Sequence, residues 1–176
     1  LRLSTPIIFA GLAALITDRA GVMNIGLEGI MLSSALLGVI GSAFTQSALI
    51  GLICAIATGV LMGSIMAYFS LKLKTDIILT GIAINLLSSG GTVFLLYSVA
   101  KDKGMSTSLA SLTMPVVQIP IIQSIPILGP MISGHNVLTY LAFILVGVVW
   151  LLLYKTSLGL KIRVVGENPD AAESVG

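Results

Sequence analysis

Three uncharged stretches dominate the chain: 43 residues from Gly29 to Leu71, 24 from Ile77 to Ala100, and 51 from Gly104 to Tyr154. About 20 residues of α-helix, each rising 1.5 Å, cross a 30 Å hydrocarbon layer, so runs of this length read as membrane spans. Of the 176 residues only 9% are charged and 56% are hydrophobic, and the mean hydropathy is +1.10. A water-soluble surface needs roughly a quarter to a third of its residues charged, which excludes a soluble globular domain.

The longest two runs each exceed one span. In the first, Gly41 to Ser47 supplies small and polar residues for a turn. Helices are therefore expected at about 3–16, 26–44, 48–71, 77–99 and 137–154, giving an all-α, polytopic transmembrane helical bundle of about five spans, the first truncated. Residues 1–176 read as a single membrane domain. Pro115, Pro120, Pro126 and Pro130 prevent a continuous helix across 101–136, which is expected to be a re-entrant or surface-lying loop. The connections after the first, third and fifth spans carry Arg19, Lys72, Lys74, Lys155, Lys161 and Arg163, against Arg2, Lys101 and Lys103 on the other side. That asymmetry puts the Lys72 and Arg163 loops and the 155–176 segment in the cytoplasm, and the 101–136 loop outside. Ser34, Gly38 and Ser42, then Ala55, Gly59 and Gly63, recur at helical spacing and are expected to let neighbouring helices approach closely. The chain begins at Leu1 in hydrophobic sequence and stops within a charged segment, so it is expected to be a piece of a longer protein.

Most catalytic chemistry has no residues to carry it. There is no G-x-x-x-x-G-K-[ST] phosphate loop and no G-x-S-x-G elbow. His135 is the single histidine, and its place beside Asn136 at the start of the fifth span suggests a loop or helix-start role. Cys54 is the single cysteine, which excludes an internal disulfide and a thiolate metal cluster. A net charge of +2 without a basic stripe leaves no electrostatic footprint for nucleic acid.

Three polar segments remain. Thr17 to Gly29 places three glycines, Asn24 and Glu28 at the start of a long apolar helix, suggesting an interrupted helix. Asn24 and Glu28 would share a face if that segment is helical. A carboxylate at mid-bilayer costs about 2.5 to 3.5 kcal/mol, so Glu28 must face protein or water or lie near the interface. Asn85, with Gly81 one turn before it and Ser88 and Ser89 after it, reads either as interhelical glue or as a lining residue of a midplane site. Near the C-terminus, Asn168 suits an N-cap, Pro169 the first helical position and Asp170 the first-turn dipole, which predicts a short amphipathic helix suited to docking.

Arg19-Ala20-Gly21-Val22-Met23-Asn24-Ile25-Gly26-Leu27-Glu28-Gly29, after Thr5-Pro6, together with Leu158-Gly159-Leu160-Lys161-Ile162-Arg163 and Gly166-Glu167-Asn168-Pro169 followed by Ala171-Ala172-Glu173, resembles the permease subunit of bacterial ABC importers for simple sugars and nucleosides. The wider group includes the ribose and branched-chain amino-acid permeases. The resemblance implies a multi-pass inner-membrane protein working with an ATP-binding cassette subunit, a second permease subunit, identical or homologous, and an extracytoplasmic substrate-binding protein. ATP hydrolysis would belong to the partner, and no cofactor or metal is implied. It also implies that Asn168, Pro169, Ala171, Ala172 and Glu173, with the flanking Gly166 and Glu167, couple to the ATPase. Asn24, Gly26, Glu28 and Gly29 would form a broken helix near the translocation path, to which Asn85 is added. Ribose-type permeases carry Asp-Leu-Ser where this chain has Asn24-Ile25-Gly26, which favours the nucleoside branch. Family members continue through further spans, so this stretch alone is expected to be inactive. An ion-coupled secondary transporter and a non-transporting structural membrane subunit are the alternative readings. The first would expect more intramembrane ionisable groups, and the second would not need a capped cytoplasmic helix.

The charge asymmetry makes a direct prediction. In a Cys54→Ala background, Lys103→Cys should react with an impermeant thiol reagent in intact cells and Lys72→Cys should not. Equal labelling, or labelling at Lys72→Cys alone, would reverse the orientation.

Overall fold

The computed structural model describes residues 3–101, 109–117, 134–169 and 172–173. Six α-helices are seen among them: α1 (Ser4–Arg19), α2 (Leu27–Thr45), α3 (Ala48–Ala67), α4 (Ile77–Ala100), α5 (Val137–Lys155) and α6 (Ser157–Glu167). A π-helical turn, Tyr68–Lys72, extends α3, and β1 (Val116–Val117) pairs antiparallel with β2 (His135–Asn136). Four helices are long and apolar enough to cross a membrane: α2, α3 with its π turn, α4 and α5. The first expected span, α1, has 16 residues, so its length of roughly 24 Å falls short of the hydrocarbon layer. Within the expected 101–136 loop, residues 102–108 and 118–133 lie outside those described. The short β1–β2 pairing there was not anticipated.

The chain divides into two compact units, 23–113 and 1–22 with 114–176. In the first, α2, α3 and α4 follow one another through short connections. The turn expected over Gly41 to Ser47 is narrower than its composition suggested, because α2 stays helical to Thr45 and ends on Gln46 in the left-handed region, φ 50°. Continuing the helix satisfies backbone groups that lipid cannot, and leaves Gly41 and Ser42 free to face α3. Asp76 caps α4 by accepting from the Ile78 and Leu79 amides at 2.8 and 3.0 Å.

Packing in this unit is carried by small residues. A Cβ on Gly51 would meet the Ser42 Cβ at 2.7 Å and the Gly38 carbonyl oxygen at 2.8 Å, one on Gly38 the Ala55 Cβ at 3.1 Å, and one on Gly59 the Ser34 Oγ at 3.2 Å. The expected stripe therefore lies on the α2–α3 seam, except for Gly63, which has nothing within 4 Å. Ser42, Ser88 and Thr92 are buried while Leu86, Leu87 and Phe94 are exposed, the reverse of a soluble core. Lipid tails are as apolar as leucine, so close approach, not apolar burial, holds the seam.

In the second unit, α1 and α5 join through the buried Thr5 Oγ1, which donates to Thr139 Oγ1 at 3.0 Å. Asn136 caps α5, its Oδ1 accepting from the Leu138 amide at 3.1 Å, and His135 sits in β2 immediately before it, at the helix start as expected. Thr156 alone separates α5 from α6 and caps the latter through the Gly159 amide at 3.1 Å. The corner is tight: a Cβ on Gly159 would overlap the Leu152 carbonyl oxygen. As an 11-residue helix, α6 is an element the sequence reading did not separate from the docking segment.

Opposite signs are expected at two α3 glycines. Gly51→Ala overpacks the seam and should destabilise the protein by about 1–3 kcal/mol. Gly63→Ala should instead be neutral or stabilising by up to about 1 kcal/mol from helix propensity. Reversible unfolding in mixed micelles would measure both.

Candidate functional site

The first turn of α2 lacks a side-chain cap of its own, because Gly26 occupies the N-cap position. The missing acceptor comes from α4: the Gly29 amide, one of the orphan donors of any helix start, donates to Asn85 Oδ1 at 2.8 Å. The Asn85 Nδ2 in turn donates to the Ile25 carbonyl at 2.9 Å. One amide thus caps a helix in trans and holds the residue before its N-cap. Glycines make this reach short enough. A Cβ on Gly29 would lie 2.8–2.9 Å from Asn85 Oδ1, Asn85 Cα and the Ile84 carbonyl oxygen, and one on Gly81 would lie 2.9 Å from the Gly26 nitrogen. Four residues further along α2 and three further along α4, Ser33 Oγ donates to Ser88 Oγ at 2.9 Å.

This register sets the depth of α2. Gly29 is opposite Asn85, so two residues of α2 but eight of α4 precede the contact, and α2 begins about 9 Å further in than α4. Glu28 therefore sits in the first turn of a recessed helix, where a carboxylate suits the dipole. It lines a cavity of about 250 Å³ with Gly29, Leu32, Ile82, Asn85, Leu86 and Ser89. Asn24 does not share a helical face with it, because residues 20–26 are not helical and α2 starts at Leu27. The segment is interrupted, as its glycines suggested, and the helical i, i+4 pairing of Asn24 with Glu28 is corrected. Among the described residues, the buried Asn24 Oδ1 has no hydrogen-bond partner.

The residues near the C-terminus lie in the other unit. Gly166 and Glu167 belong to the last turn of α6, and Asn168 is extended, with φ −155° and ψ 98°. Its amide donates to the Val164 carbonyl, and its own carbonyl accepts from the Ala172 amide at 3.1 Å. Pro169, Ala172 and Glu173 have helical backbone, so a helical turn restarts at Asn168, while Asp170 and Ala171 lie outside the described residues. Gly166 packs against Arg19, Ala20 and Gly21. Arg163 stacks over Tyr154 at 5.2 Å and lines a cavity of about 120 Å³ with Asp18, Arg19, Gly166 and Glu167.

Of the residues singled out in the sequence, Gly26, Gly29 and Asn85 come together and Glu28 adjoins them. Gly81 and Met66, whose Sδ lies 3.2 Å from a Cβ built on Gly26, complete the cluster and were not assigned to it. A signal existed: Gly81, Ser88 and Thr92, all buried, form with Asn85 a small and polar stripe at helical spacing. The pairing of Gly166 with Gly21 had no sequence signal. If Asn85 supports α2 as described, Asn85→Ala should cost about 1–2 kcal/mol by leaving the Gly29 amide and Ile25 carbonyl unpaired. Ser89→Ala, on the cavity wall, should cost under about 0.5 kcal/mol in the same micellar unfolding assay.

Residues 1–176 match the family described as branched-chain amino acid transport system, permease component. A putative glucose ABC transporter permease of Haloferax volcanii is 34% identical, over 98% of this chain and 52% of its own length. A guanosine ABC transporter permease of Bacillus subtilis is 33% identical and a nucleoside ABC transporter permease of Lactococcus lactis 31%, each over 98% of this chain and 56% of the relative. The chain thus spans about half the length of the curated relatives it matches. No solved structure matches it. With its full length matched, and with membrane-spanning helices built around small and polar contacts, the chain belongs to the permease component family of branched-chain amino acid transport systems.

Proposed function

We propose that this chain is part of the membrane-spanning permease subunit of an ATP-driven ABC importer for nucleosides or simple sugars. The recessed start of α2 carries the reading: with α2 beginning about 9 Å inward of the start of α4, Glu28 and Asn85 meet at one cavity. An interrupted helix with polar groups at its recessed end suits a solute rich in hydroxyl and amide groups. Glu28 accepts from such donors, while Gly26 and Gly29 keep the backbone close enough for Asn85 to hold the site. The relatives named for guanosine, nucleosides and glucose support this solute class.

The turn restarting at Asn168, with Pro169, Ala171, Ala172 and Glu173, docks on a separate ATP-binding subunit. The complete transporter includes a second permease subunit and an extracytoplasmic binding protein. In this reading the Lys72 and Arg163 loops face the cytoplasm.

Membrane vesicles holding the complete permease with these partners should accumulate labelled guanosine or glucose only when ATP is supplied. Glu28→Gln should lower that uptake about tenfold, the effect of one lost contact of about 1.4 kcal/mol, with the subunits still assembled. Uptake driven by an ion gradient without ATP would instead establish a secondary transporter.

A further inference from the structure

Gly21 and Gly166 meet backbone to backbone. Gly21 is left-handed, φ +79°, a conformation glycine adopts without a Cβ penalty. A Cβ on Gly21 would lie 3.0 Å from both the Cα and the carbonyl oxygen of Gly166; one on Gly166 would lie 2.9 Å from the Gly21 nitrogen and overlap the Arg19 carbonyl oxygen. No side-chain rotamer stands between the two segments to absorb a shift. Charge does not hold them either: Asp18, Arg19, Arg163 and Glu167 line the adjoining cavity, and among the described residues none of these four forms an ion pair. The contact is one of shape. On one side of it, two residues along, lies Asn168, where the helical turn restarts. On the other, the chain runs from Gly21 directly into the non-helical residues that precede α2.

We propose that the Gly21–Gly166 contact is a rigid joint that passes displacement of the Asn168–Glu173 turn to the end of α1 and to the connection leading into α2. Both glycines are then positioning residues for transport. This rests on the reading of that turn as the ATPase-docking element. Packed interfaces switch between discrete arrangements instead of deforming smoothly, so a contact without slack moves as one body.

The test uses the complete permease assembled with its ATP-binding subunit and binding protein in lipid nanodiscs. Stimulation of ATP hydrolysis by solute-loaded binding protein should be lost in Gly166→Ala and Gly21→Ala. Gly63→Ala, which meets nothing within 4 Å, should keep the wild-type ratio. Ala172→Cys should cross-link to a cysteine in the groove of the ATP-binding subunit, with or without Gly166→Ala. Wild-type stimulation in Gly166→Ala, with that cross-link formed, overturns the joint and leaves docking standing. No cross-link in the otherwise unaltered, transporting complex overturns docking itself, and the joint with it. A second measurement does not depend on a glycine variant assembling. Spin labels on Asp18→Cys and Glu167→Cys in a Cys54→Ala background should keep one separation with and without ATP. A change of about one helical turn, 5.4 Å, shows the joint opening and refutes it.

Discussion

The first amides of a helix have no partner within it, and the bond from the Gly29 amide to Asn85 Oδ1 is how this protein meets that constraint for α2. With glycine at the N-cap, no local side chain can do it. The cap must come from α4, and it can arrive only if the two backbones nearly touch, which requires Gly26, Gly29 and Gly81 to lack side chains. Depth, register and approach are consequences of this one requirement. The recess of Glu28 follows from them.

The same economy of small contacts appears elsewhere in the 23–113 unit. Gly38, Gly51 and Ser42 bring α2 and α3 together, and Ser42 also bonds Leu112, donating to its carbonyl at 3.3 Å and accepting from its amide at 3.0 Å. Among the described residues, Met66, Ile84 and Leu96 are the buried hydrophobic side chains of this unit, few beside the many left exposed. In a hydrocarbon solvent that arrangement is favourable, since large side chains lose nothing by facing lipid while an unpaired polar group costs several kcal/mol.

The unit formed by 1–22 and 114–176 relies on the same devices for a different purpose. Thr5 and Thr139 join the beginnings of α1 and α5, while Gly159 and Gly166 fold α6 against their ends. A helix of 11 residues is marginal in isolation, so α6 owes its order to this packing and to the Thr156 cap. The turn at Asn168 inherits its position from α6.

How much of this was legible in the sequence depended on the range of the interaction. Uncharged length against bilayer thickness located α2, α3 with its π turn, α4 and α5 to within a residue or two, because helical hydrogen bonds are local and charge is excluded from hydrocarbon. The helix start at Asn136, the interruption before Leu27 and the restart at Asn168 were equally local, written in capping residues, glycine and proline. Asn85 was recognisable as a polar group needing a partner, but its partner lies 56 residues away, and no spacing rule reaches that far. Helical periodicity likewise offered Gly59 and Gly63 as equals, though one faces Ser34 and the other meets nothing. By itself the sequence determined which long segments are helical and apolar enough to cross a membrane. The tertiary structure alone decided which small residues touch, how deep α2 begins and that Gly21 lies against Gly166, because each depends on the mutual register of helices distant in the chain.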